Sequence, residues 1–289
     1  MNYCELKYCL KAFKNLKIDI IGRSWDNRNI YSISTFFSGK TDWILIHGGI
    51  HSREHLSVDL CVALAEIIDK NYKYYESLND FPNICFVPMV NPDGVEISYF
   101  GESIIKDEKL RKIASKILEG KDYRLIKSNA RGVDLNNNFD AFFEKHMGDI
   151  QPSINGYKGE LAFSEKETIA LRDITLKIQP IFTISYHLKG EEIYFDFYQN
   201  ENHYKRDEKI AKILNKFTGY EIKSTQNVSF GGYKDWCVLN LKIPSFTIEL
   251  GRDEMNHPIK SVEIYDILAK NIGLLYHLCD IVKICKEMN

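Results

Sequence analysis

His51 and Glu54 stand three residues apart in the run His47-Gly-Gly-Ile-His51-Ser-Arg-Glu54-His55. In a turn that enters a helix, this spacing lets an imidazole and a carboxylate reach one point. Catalytic zinc needs two such donors, a third from elsewhere in the chain, and an open fourth position for water. Alone the pair is a weak signal, because His-x-x-Glu also occurs as a solvated surface pair. Two further acid/base residues fall where strands should end: His187 follows the apolar run Ile181–Tyr186, and Glu249 lies in Pro244–Leu250. An unpartnered carboxylate in a buried strand is expensive unless function supports it. Open α/β sheets bind ligands at the carboxyl ends of their strands, so side chains from three such ends can converge. His47 and His55 flank the first pair, but a fourth protein ligand would close the site, so both read as structural or groove-lining.

Positioning these groups requires a particular order of elements. The β-rich runs Leu16–Gly22, Ile30–Phe37 and Trp43–His47, with turn formers Asn27, Asn29 and Gly39 between them, predict three adjacent strands. Leu56, Leu60, Ala63, Leu64 and Ile67 recur at helical spacing, which puts His51 where a strand hands over to a helix. Ile84–Val90 reads as a buried strand ending in a reversing turn at Asn91-Pro-Asp-Gly94. A helix over about Glu102–Leu118 and a long loop around Asn129–Asn138 follow, and loops of that length are usually functional. Ser164 and Glu167 form a capping-box pattern opening a helix through about Ile178. Strands at Ile181–Tyr186 and Glu191–Phe197, a helix at about Lys205–Phe217, the segment Gly231–Leu241, the strand Pro244–Leu250 and a long helix from about Lys260 complete the series. Alternating strands and helices argue an α/β sandwich, a single domain over residues 1–289 with helices on both faces of a mixed sheet.

The formal net charge is -2 and the basic residues are scattered among acidic ones, so neither nucleic acid nor an anionic membrane is an expected partner. Seven cysteines without paired spacing suggest reduced thiols and a reducing compartment. The first 17 residues interrupt every apolar stretch with Lys or Glu, unlike a signal peptide, and no window has the length of a membrane span. The expectation is a cytoplasmic protein acting on a small solute, with its oligomeric state open.

His51-Ser-Arg-Glu54, Gly132-Val-Asp134-Leu-Asn136, Ser185-Tyr-His187 and Phe246-Thr-Ile-Glu249-Leu occur in the order, and at distances, that resemble the zinc carboxypeptidase family. Ile21-Gly-Arg-Ser24, Asn91-Pro-Asp-Gly94, Ser164-Glu-Lys-Glu-Thr168 and Asp235-Trp236 extend the resemblance over most of the chain. It implies a twisted sheet of about eight strands and one Zn²⁺ per chain on His51, Glu54 and His187, with Glu249 as general base and acid. It further implies that Asp134 hydrogen-bonds a ligand histidine, that Arg53 lines the substrate groove, and that Lys127 or Arg131, Lys127 first, stabilises the oxyanion. Lys127-Ser-Asn-Ala-Arg131, Gly190-Glu-Glu-Ile-Tyr194 and Gly231-Gly-Tyr-Lys-Asp-Trp236 resemble one branch, the γ-D-glutamyl-meso-diaminopimelate peptidases of bacterial cell-wall peptides.

Members that trim ordinary C-termini hold the terminal carboxylate with an Asn-Arg pair. Here the pair is Asn136-Asn137, so the bidentate clamp is missing, and Val238 stands where those members carry a tyrosine. Asn136, Asn137 and Tyr233 are the expected substrate contacts, and a muropeptide-like peptide is the expected substrate. A general zinc carboxypeptidase and a non-catalytic muropeptide-binding protein are the alternatives, the second disfavoured because a binder needs no general base.

Overall fold

A computed structural model describes residues 1–224 and 230–288 of the chain. In chain order the strands are β1 Lys17–Arg23, β2 Asn29–Ser34, β3 Trp43–His47, β4 Asn83–Val87, β5 Phe182–Leu188, β6 Glu192–Tyr194, β7 Glu221–Lys223 and β8 Ser245–Leu250. The helices are α1 Tyr3–Leu10, α2 His55–Lys70, α3 Tyr72–Ser77, α4 Pro92–Phe100, α5 Glu108–Leu118, α6 Lys166–Ile178, α7 Glu201–Thr218, α8 Tyr233–Trp236, α9 Ile264–Asn271 and α10 Gly273–Glu287. The strands form one eight-stranded sheet in the order β1-β2-β4-β3-β5-β8-β6-β7. Its centre, from β4 through β3 and β5 to β8, is parallel, while β1, β2 and the β6/β8 pair run antiparallel.

β4 and β5 are buried along their whole length, whereas β1 is half-exposed at the edge. Side chains alternate between the two faces of a strand, so β5 and β8 each divide into two sets. Phe182, Ile184, Tyr186 and Leu188 join Phe246, Ile248 and Leu250 in a core roofed by α2, α7, α9 and α10. The opposite set, Ser185 and His187 on β5 with Thr247 and Glu249 on β8, faces the side covered by α6, α8 and the segment around Phe139. That polar stripe at the strand ends is the floor of the site.

Several expected elements are built differently. The runs Leu16–Gly22 and Ile30–Phe37 do pair as β1 and β2, but Trp43–His47 is not next to them: β4 lies between. β4 needs both faces covered, and β3 supplies its parallel neighbour. Asn91-Pro-Asp-Gly94 is not a reversing turn but the start of α4, where the Asn91 side chain accepts from the Gly94 backbone at 3.0 Å and Pro92 fills a first-turn position that needs no N–H. The Ser164/Glu167 capping box does not form: Ser164 donates to the Glu165 side chain at 2.9 Å, and Glu167 is buried instead of reaching back. The helix expected at Glu102–Leu118 breaks into a short turn and α5, which Asp107 caps. The C-terminal helix divides into α9 and α10. Among the described residues no helix is long and apolar enough to cross a membrane, and all seven cysteines are free thiols.

Candidate active site

β3 ends at His47, and two glycines then turn the chain into α2. At Gly48 a Cβ would lie 2.5 Å from the Ser57 carbonyl oxygen, and Gly49 adopts φ +59°, so only glycine lets the turn close against α2. The turn delivers His51 and Glu54 to the sheet end. Ser52 then ties this turn to a second loop: its backbone N–H donates to the Lys127 carbonyl at 3.1 Å and its hydroxyl to the Ser128 carbonyl at 2.5 Å. The Asn91 amide donates to the Ser52 hydroxyl at 3.0 Å and the Ile50 carbonyl at 3.2 Å, so the start of α4 fastens both loops.

Within this frame His51, Glu54 and His187 converge. His51 Nδ1 lies 2.8 Å from Glu54 Oε1 and 3.0 Å from His187 Nδ1, and His187 Nδ1 lies 3.2 Å from Glu54 Oε2. Donors bonded to one tetrahedral zinc at about 2.0–2.1 Å stand roughly 3.3 Å apart, so these atoms are spaced as a shared cation would space them. Their chemistry agrees. One ring proton on His51 Nδ1 can serve either the carboxylate or the facing nitrogen but not both, whereas a cation satisfies all three groups. The triad is buried. Burial pushes the Glu54 carboxyl up, but the two imidazoles outweigh it and hold Glu54 well below the usual carboxylate range. Burial lowers His187, only partly offset by its contact with Glu54, which favours the neutral form that metals require. The backbone N–H of Leu188 donates to Glu54 Oε2 at 3.2 Å and fixes the carboxylate from the β5 side.

Asp134 lies on the far side of His51, Oδ1 at 3.2 Å from Nε2. Burial raises the Asp134 carboxyl, but the Lys127 ammonium and the contact with His51 outweigh it and hold the carboxyl below the usual range. Lys127 Nζ stands 3.8 Å from Asp134 Oδ2, and Asp134, Glu54 and Glu249 keep it protonated against the cost of burial. Glu249 pairs in register with His187 across β5 and β8. Burial first, then the Glu54 carboxylate, push the Glu249 carboxyl well above its ordinary value, with Lys127 pulling the other way.

The remaining expected residues scatter. Arg131 bonds Glu165 at 3.3 Å and stacks 4.3 Å over Trp25, a setting that commits its charge away from the triad. Arg53 donates to the Leu125 carbonyl at 3.2 Å, and its Nε is buried with no partner among the described residues. Asn136 and Asn137 are half-buried, and the Asn136 side chain accepts from the Tyr233 backbone at 3.1 Å. Tyr233, expected at the substrate groove, is fully buried: its ring meets His47 edge-on at 4.7 Å and its hydroxyl bonds Thr175 at 2.9 Å. A side chain used up in packing offers nothing to a ligand.

His47, expected to be structural or groove-lining, is structural, and Glu192, offered by the sequence only within the Gly190–Tyr194 motif, lies on the strand next to Glu249. His47 Nε2 bonds Ser185 at 2.7 Å beneath the triad, and burial holds this imidazole neutral. Glu192 on β6 pairs in register with Glu249. The alternation Glu192-Ile193-Tyr194 was the available signal, but three residues are too few for periodicity to place a side chain.

A profile described as zinc carboxypeptidase matches residues 6–266. A "Gamma-D-glutamyl-L-diamino acid endopeptidase 1" of Lysinibacillus sphaericus is 31% identical over 193 residues, 66% of this chain but 47% of that protein, so the match spans about half of the relative's length. Bovine thrombin-activatable fibrinolysis inhibitor superposes with TM-score 0.71 at 20% identity, covering 99% of this chain and 95% of the other. The murein-tripeptide amidase MpaA of Escherichia coli O157 superposes with TM-score 0.56 at 19% identity, covering 92% and 91%. At these identities the two structures speak to the fold.

Proposed function

Because the chain belongs to the zinc carboxypeptidase family, we propose that it is a zinc-dependent peptidase hydrolysing the amide between γ-D-glutamate and a diamino acid, meso-diaminopimelate, in cell-wall-derived peptides. The observation that carries this reading is the convergence of two imidazole Nδ1 atoms and one carboxylate beside Glu249 on the neighbouring strand. His51, Glu54 and His187 are the residues that would hold the metal. Zinc bound there supplies an acidified water, its pKa near about 7, and a Lewis-acidic contact for the carbonyl oxygen.

The chain's own groups carry the remaining steps. Glu249, with its carboxyl raised by burial, accepts the proton of the attacking water and later returns it to the departing amine nitrogen. Lys127, kept cationic by its acidic neighbours, donates to the oxygen on which negative charge develops. Asp134 accepts from His51 Nε2–H, which leaves Nδ1 as the lone-pair nitrogen facing Glu54 and His187.

The substrate assignment rests on two supports. Asn137 stands where C-terminal trimming enzymes carry a carboxylate-binding arginine, and a neutral amide cannot form that bidentate pair. The Lysinibacillus relative is named for cleavage at a γ-D-glutamyl-diamino acid bond. Incubating zinc-loaded protein with L-Ala-γ-D-Glu-meso-diaminopimelate, then separating the products, tests the reading. Free diaminopimelate is the expected product, abolished by chelation. Cleavage of a benzoylated C-terminal dipeptide instead favours general carboxypeptidase action, and no cleavage of either favours a binding protein.

A further inference from the structure

The floor continues past Glu249. On that reading of the site, Glu249 returns its proton to the departing amine, so the residue released lies on the Glu249 side of the metal ligands. The next strand outward is β6, and Glu192 sits directly opposite Glu249 in an antiparallel pair, where partners point to the same face. Two carboxylates opposed in this way repel each other, and Glu192 is among the charges that raise Glu249.

The surroundings of Glu192 hold it in place without neutralising it. The Tyr194 hydroxyl donates to Glu192 Oε2 at 2.5 Å. Lys223 stands 4.0 Å from Glu192 but 2.7 Å from Glu221, so its charge is spent mainly on the outer strand. The Glu192 side chain keeps 26% of its surface exposed, enough for an approaching group to reach it. A hydroxyl-oriented carboxylate one strand beyond the proton carrier is a receptor for a cation on the substrate.

We propose that Glu192, oriented by Tyr194, selects a diamino acid as the departing residue by receiving its second ammonium group. The assignment rests on the peptidase reading above, yet binding of the free product tests it separately. The probes are L-lysine, meso-diaminopimelate and L-norleucine, titrated calorimetrically into the zinc-loaded full chain. Kinetics on γ-D-glutamyl-L-lysine and γ-D-glutamyl-L-norleucine run in parallel.

A hydrogen-bonded charge contact of this kind is worth about 10–100-fold in affinity. The wild type is expected to bind at least one of the two diamino acids that much more tightly than norleucine. Glu192→Gln should erase this preference while leaving norleucine binding within about twofold, which also reports that the variant is folded. On the peptides, Glu192→Gln should lower kcat/KM for the lysine substrate relative to the norleucine substrate by about the same 10–100-fold, a ratio in which any shared effect on Glu249 cancels. Tyr194→Phe, which keeps the carboxylate but frees it, should cost a smaller factor. A wild type without preference for either diamino acid, or a Glu192→Gln variant that retains the preference, overturns the proposal. Glu192-dependent product binding without cleavage of either peptide or of L-Ala-γ-D-Glu-meso-diaminopimelate instead sinks the peptidase reading and leaves the receptor standing.

Discussion

Replacing Asp134 by Asn should weaken zinc binding at a residue that is not itself a ligand. Asp134 Oδ1 accepts from His51 Nε2 at 3.2 Å and from the Asn136 backbone at 3.3 Å, while Oδ2 accepts from the Gly156 backbone at 3.3 Å and faces Lys127 at 3.8 Å. An amide has one acceptor oxygen, so either orientation fails one side. With its oxygen toward His51, the NH₂ group meets the Gly156 N–H and the Lys127 ammonium, donor against donor. With its NH₂ toward His51, Nε2 must become the acceptor and the ring proton moves to Nδ1, the atom the metal needs. Loss of such a supporting carboxylate typically costs about 10–100-fold in metal affinity, equivalent to about 1.4–2.7 kcal/mol. The hydrogen bond here is long, which places the expected loss toward the lower half of that range. Competition with a chromophoric chelator at neutral pH measures it. A zinc affinity within twofold of wild type would refute the claim that Asp134 sets the His51 tautomer.

Glu249→Gln should bind zinc with unchanged stoichiometry while kcat falls by about 10²–10⁴; undiminished turnover on the γ-D-glutamyl peptide would remove Glu249 as proton carrier. Lys127→Met should lower kcat by about 10²–10³, whereas Arg131→Met, whose charge is taken by Glu165 and Trp25, should leave it within a few-fold; the reverse ranking would reassign the oxyanion contact. Glu167 is fully buried, and burial with the nearby Asp93 and Glu165 carboxylates pushes its carboxyl well above the usual range. The fold thus favours the proton: its contribution is complete below the unfolded value of about 4.3 and is lost as pH rises toward the raised value. Chemical denaturation of Glu167→Gln should therefore show a flatter decline of stability as pH rises above about 4.3 than wild type, and parallel curves would count against a protonated Glu167.

The donors were legible because their chemistry is carried by residue type and chain order. His51 and Glu54 lie on one turn, and His187 and Glu249 follow strongly apolar strands that could only be buried. Burial also fixed the role of α2, whose apolar spacing has one possible side to face. What could not be read depended on partners distant in the chain. Asn91 looks the same in sequence whether it starts a turn or a helix, and contact with Ser52 accompanies the helix. Ser164 and Glu167 have capping-box spacing, but Asn129 and Trp25 draw Glu165 inward, and Glu167 is buried beside it. The Gly231–Trp236 motif puts Tyr233 at the substrate groove only by resemblance, yet the rings of Phe139, Trp236 and His47 enclose it. The N-terminal helix α1 was missed because Lys and Glu surround Leu6 and Leu10, the two residues it buries.

The Ser52 fastening bears on how this scaffold can be altered. Attempts to retune specificity would naturally transplant the stretch that carries Lys127, Asp134 and Asn137 as a cassette from a relative. Its first residues are held by the same hydroxyl that holds the His51 turn. A donor cassette that offers Ser52 no carbonyl would disturb the metal ligands before it touched a substrate, so the exchangeable unit comprises both loops together with the Asn91 end of α4.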